Sequence, residues 1–83
     1  MDQFYAPNKV VADWCLRACD EKKPVTVSGV DCLEGKVKAY HGVVRSVEDR
    51  GPSKQSRRWR VTILDENEVH RFALRATDAA AFK

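Results

Sequence analysis

A mainly β fold is predicted for this chain: one N-terminal α-helix, then five strongly bent antiparallel strands closing a small barrel. Three observations predict it. Apolar spacing is helical over residues 7–21 and turns to alternation after Pro24. A long β-rich run from Leu33 to Glu48 carries Gly42 at its middle, where glycine marks a bulge or a sharp bend. Residues 58–75 fold back on themselves into a hairpin whose faces separate into an apolar set and an arginine set.

The helix is bounded by Pro7, which suits a first helical position, and by Lys22-Lys23-Pro24, a cationic end followed by a stop. Val10, Val11, Ala12, Trp14, Cys15, Leu16, Ala18 and Cys19 span a very wide apolar arc, leaving Lys9, Asp13, Arg17 and Asp20 a narrow strip. A helix lying on a small barrel needs an apolar stripe of only about 100°. The surplus has two explanations. Either Val11, Ala12, Cys15, Leu16 and Cys19 meet a second copy of the chain, or the helix plugs the barrel end under Phe4, Tyr5 and the C-terminal tail.

The barrel is assigned to residues 24–76. Val25-Thr26-Val27 reads as a short strand and Ser28-Gly29-Val30-Asp31 as a turn. In the long run, Val37, Ala39, His41, Val43 and Val47 share one parity, whereas Lys36, Lys38, Tyr40, Val44 and Ser46 share the other. Arg45 falls on the apolar parity. Asp49 to Ser56 is a polar loop with Gly51-Pro52 as its turn.

For the last hairpin, Asp65-Glu66-Asn67-Glu68 is the loop. Trp59 then faces Leu74, Val61 faces Phe72 and Ile63 faces His70 on one side. The other side sets Arg58 against Arg75, Arg60 against Ala73 and Thr62 against Arg71. A slip of one residue would mix the two sets, so the register is well specified. Opposed like charges cost up to about 1 kcal/mol, which an anion or a carboxylate such as Glu34 or Glu48 would offset. Residues 77–83 are read as a short capped helical turn docked through Phe82.

With 83 residues the chain makes one domain, and 43% hydrophobic residues set it apart from disordered sequences. No run of about 18 apolar residues occurs, so no membrane span is expected. The N-terminus has no basic-then-apolar signal, and the three cysteines Cys15, Cys19 and Cys32 are an odd set for a secreted scaffold. A reduced, cytoplasmic protein is expected. Those cysteines with His41 and His70 assemble a zinc site only on paper. They lack the paired spacing of zinc motifs and lie among apolar residues, so buried thiols and no metal are expected.

The net charge of +3 is unevenly distributed. Residues 36–60 hold eight Lys/Arg against two Asp/Glu, while both flanking regions are net acidic. Such a field attracts polyanions.

A helix followed by about five strands, the second long and bent, resembles the plan of SH3-like small barrels. Within that group Pro24-Val25-Thr26-Val27, Gly29, Leu33, Gly35, Val37 and Tyr40 resemble the first motif of the Sm family, particularly its Hfq branch. The resemblance implies a ring-forming RNA binder. His41 stands where that family usually has an acidic residue, the turn before Leu33 is one residue longer, and nothing after Asp49 resembles the second Sm motif.

The leading functional expectation is a non-catalytic nucleic-acid-binding module, of RNA or DNA. Its contact residues would be Lys36, Lys38, Lys54, Arg57, Arg58, Arg60, Arg71 and Arg75, with Tyr40 either stacking a base or packing under the helix. The alternative is an assembly module forming a homo-oligomer through the wide helix face. No phosphate loop, nucleophile elbow or paired-carboxylate pattern is present, so neither catalysis nor a cofactor is expected.

Overall fold

In the computed structural model, which describes residues 4–31, 37–53, 57–76 and 78–83, strand β1 (Phe4–Pro7) runs directly into helix α1 (Asn8–Glu21). Then follow β2 (Pro24–Asp31), β3 (Val37–Asp49), β4 (Trp59–Asp65), β5 (Glu68–Leu74) and β6 (Ala79–Phe82). Among the described residues these strands form one antiparallel sheet in the order β1-β6-β2-β3-β4-β5.

The sheet is open, not the closed five-stranded barrel expected from the sequence. Closure would require β5 to pair with the free side of β2. That side is taken by β6, through Val27 opposite Phe82 and a reciprocal pair of backbone hydrogen bonds between Thr26 and Lys83 (2.9 and 2.8 Å). β1 then pairs with β6, leaving β1 and β5 as edges. The sheet still curls enough to bring β5 close to β2.

β6 corrects a second expectation, since 77–83 was read as a helical turn. Alanine favours helix, but four residues cannot offset the cost of a helical nucleus. Pairing on both sides offers backbone hydrogen bonds instead. Ala80 is fully buried, in a strand that also contacts α1.

Pro7 sits just outside α1 as its N-cap rather than in its first turn. The Asn8 backbone N–H donates to Asp78 O (2.8 Å), and Asn8 Nδ2 donates to Arg75 O (2.9 Å). The C-terminal segment therefore meets the helix start. At the other end Lys22 adopts the left-handed conformation, and its N–H reaches Ala18 O and Cys19 O.

β2 continues through the segment read as a turn, with one extra residue between Val27 and Val30 where the pairing to β3 shifts. A second shift, between Val44 and Ser46 in the pairing with β4, places Arg45 in a bulge. This explains the misfit of Arg45 in a strict alternation. Tyr40, Gly42 and Val44 face inward before the bulge and Val47 after it, while Arg45, Ser46 and Glu48 are exposed. Gly42 has φ +149°, and a Cβ there would lie 2.4 Å from Leu64 O and 2.5 Å from Ile63 Cγ2. Only glycine lets β3 approach β4 so closely.

The β4–β5 register is the one expected from Trp59 opposite Leu74 to Ile63 opposite His70. Pairing continues to Asp65 opposite Glu68, however, so the turn is Glu66-Asn67 rather than the four-residue loop 65–68. Trp59, Val61, Ile63, Phe72 and Leu74 join Val25, Val27, Val44 and the inward helix residues in a single core. The helix lies on this inner face, so the opposite face of β3–β5 remains open to solvent.

Candidate nucleic-acid interface

Arg60 and Arg71 lie on the outer face of adjacent strands, diagonally related because Arg60 opposes Ala73 and Thr62 opposes Arg71. Diagonal neighbours in a ladder are about 7–8 Å apart, within reach of one ligand for two long side chains. Arg50 and Arg57 reach the same place from the two ends of the β3–β4 loop. Together the four arginines, with Phe72 and Ala73, line a pocket of about 250 Å³. Ala73 supplies only a methyl opposite Arg60, which leaves the depression open.

The loop is held at its neck. The Arg50 N–H donates to Arg58 O, a cross-strand contact that continues the β3–β4 ladder past Asp49. Asp49 accepts from the Gly51 N–H (2.9 Å) and from Arg58 Nε (3.3 Å). These bonds, the Gly51 amide first and the Arg58 guanidinium second, hold the Asp49 carboxyl below the usual aspartate range. Gly51 has φ +94°, a conformation that L side chains rarely adopt.

Arg58 does not line the arginine pocket, and Asp49 offsets its charge. Arg58 is half-buried, ion-paired to Asp49, and lies 5.1 Å above the Trp59 ring. Its expected opposition to Arg75 is also absent, because the ladder ends at Trp59 and Leu74. Arg75 approaches Asp78 at 4.0 Å instead. Both arginines therefore avoid like-charge opposition by meeting carboxylates other than Glu34 or Glu48.

By contrast, among the described residues Arg50, Arg57, Arg60 and Arg71 form no ion pair and no carboxylate lines their pocket. Glu48 opposes Arg60 in the ladder without pairing to it. Arg50 was not among the sequence candidates. The β3–β4 ladder, extended by one pair past Asp49, brings it to the neck of the loop.

Lys36 and Lys54 lie outside the described residues, as do Cys32, Leu33 and Gly35 and the side chain of Lys38. Tyr40 faces the core rather than the arginine face: its ring stacks on Phe72 at 4.8 Å and lies 6.0 Å from His70. The inverted parity of β3 before its bulge puts it there.

No family model, curated protein or solved structure matches this chain.

The helix surface expected to bind a second copy is largely consumed by the fold. Val11, Ala12 and Cys15 are buried under the sheet, and burial pushes the Cys15 thiol up to about 12. Cys19 is half-buried, its Sγ 3.4 Å from Arg45 O. Only Leu16 of that set is well exposed, at 48%. Trp14 packs against Phe82 with ring centroids 5.0 Å apart, so the C-terminal strand covers part of the surplus arc. Beside them lies a groove of about 400 Å³ that carries charges of both signs, Arg17 and Lys23 with Glu21. Tyr5, expected to cover the flank, is 77% exposed.

Among the described residues, no three His, Cys, Asp or Glu side chains are grouped to hold a metal. No helix is long and apolar enough to cross a membrane.

Proposed function

We propose that this chain is a small non-catalytic module that binds nucleic acid through the outer face of β3–β5. The observation that carries the reading is the pocket bounded by Arg50, Arg57, Arg60 and Arg71, with no carboxylate among the described residues that line it. Guanidinium forks match phosphate oxygens bidentately, and desolvating four of them together is favourable when an anion takes the place of water. The histidines support a non-catalytic role. His41 shares a hydrogen bond with Thr26 (2.8 Å), His70 Nε2 lies 3.4 Å from Glu68 Oε2, and neither lines the arginine pocket.

Self-assembly through α1 is the weaker reading, because Val11, Ala12 and Cys15 of the surface that motivated it are inside the chain and only Leu16 is well exposed. The test is fluorescence anisotropy with single-stranded RNA and DNA across a salt series. Affinity should fall steeply with salt, and the double substitution Arg60→Ala with Arg71→Ala should reduce the slope by roughly 1.4, about 0.7 for each lost phosphate contact. Binding that ignores salt, or no binding at all, rejects the reading. A Glu-rich peptide that binds as tightly would replace nucleic acid with an acidic protein partner.

A further inference from the structure

We infer that this face takes the phosphomonoester end of a single-stranded nucleic acid, with one terminal nucleotide laid across β3, β4 and β5. The inference rests on the nucleic-acid reading and names the part of the ligand that is recognised.

The outer face is graded in three rows. The ladder aligns Glu48, Arg60 and Ala73 in the first row, Ser46, Thr62 and Arg71 in the second, and Val43, Leu64 and Val69 in the third. Successive same-face positions along a strand are about 6.8 Å apart, so the first and third rows are separated by on the order of 13 Å. Arg60 stands in the first row beside Glu48, and Arg71 in the second beside Ser46 and Thr62. The arginine cup therefore spans the first two rows, with hydroxyls at its margin and apolar side chains at the far end, an order that suits phosphate, sugar and base. Val69 is 53% exposed although large and apolar, and it lies on the edge strand beside half-buried Val43 and Leu64. The base rests on that row while Ser46 and Thr62 hydrogen-bond the sugar hydroxyls.

The shape of the cationic end distinguishes a terminus from a passing backbone. Arg50 and Arg57 wall the pocket on the loop side, Arg60 and Arg71 on the strand side, and Ala73 leaves the space between them. This is a cup of about 250 Å³ rather than a track of spaced cations. A diester phosphate brings one charge to it. A phosphomonoester brings about 1.5 to 2 near pH 7, with an additional oxygen to accept from the forks. Four guanidiniums around a single cup match the more highly charged group.

The experiment measures binding of one short single-stranded RNA in three forms, 5′-phosphorylated, 3′-phosphorylated and with hydroxyls at both ends. Either phosphorylated form should bind at least about tenfold tighter than the hydroxyl form. Ala73→Leu fills the cup while keeping all four arginines, so it should abolish that preference and retain salt-dependent binding of the hydroxyl form. Arg71→Gln should weaken the preference in a chain with an unchanged melting curve, which covers the case in which Ala73→Leu fails to fold. Equal binding of the three RNAs overturns the terminal-phosphate inference and leaves the nucleic-acid reading standing. Binding of none overturns both. Competition by adenosine 5′-monophosphate at the concentration at which the phosphorylated RNA competes overturns a polymer end as the ligand.

Discussion

On the inner side of the sheet, Val11, Ala12 and Cys15 of α1 are sealed against β3 and β6, whereas on its outer side Arg60 and Arg71 stay in solvent. Both sets are prominent in the sequence as candidate contact surfaces. Their fates differ because desolvating an unpaired guanidinium is costly, while desolvating an apolar side chain is the main drive to fold. A small domain uses whatever apolar surface it has, so a wide apolar arc is weak evidence for a partner. Clustered cations without carboxylate partners are stronger evidence, since folding by itself gives no reason to gather them.

Val11→Asp should produce the largest effect on this contrast. An unpaired charge beneath the sheet should cost about 3–5 kcal/mol, much of the stability of a domain this size. Chemical denaturation measures the loss, and a folded, oligonucleotide-binding Val11→Asp protein would break the comparison. Gly42→Ala comes next. Its Cβ meets Leu64 O and Ile63 Cγ2, so destabilisation of roughly 1–3 kcal/mol is expected from the forced separation of β3 and β4.

A smaller effect comes from acid. The Asp49 carboxyl is held below its ordinary value by Gly51 and Arg58, so the contribution of these bonds is fully present above the unfolded value of about 3.9. It is lost as the pH falls through the lower folded value. The Gly51 amide resonance should therefore titrate below about pH 3.9 in the native protein and not in Asp49→Asn. Titration at or above the ordinary value would remove the clamp from the account of the arginine loop. Leu16→Glu should change least, within about 0.5 kcal/mol, with no change in light-scattering mass. A drop from dimer to monomer would restore the helix as an assembly surface.

The contrast also explains what was legible in advance. The register of the β4–β5 hairpin, though not its ends, was legible because its turn is short and its two faces differ in chemistry, so register and sidedness follow from neighbours in the chain. β3 was misread in its first half because the bulge at Arg45 resets the parity, and the bulge is defined only against β4. Arg58 and Arg75 looked equivalent to Arg60 and Arg71 until Asp49 and Asp78 took them. Carboxylate partners nine residues away across a loop, or just past a strand end, leave no periodic trace.

Sequence alone determined the mainly β class, the position of the helix, and the placement of Arg60 and Arg71 opposite an apolar face. Each follows from a local period and a short turn. Tertiary structure decided that β6 is a strand filling the free side of β2, that the sheet is therefore open, and that Arg50 joins the arginine pocket while Arg58 leaves it. Those outcomes depend on contacts between distant segments, where backbone pairing and charge neutralisation override local propensity.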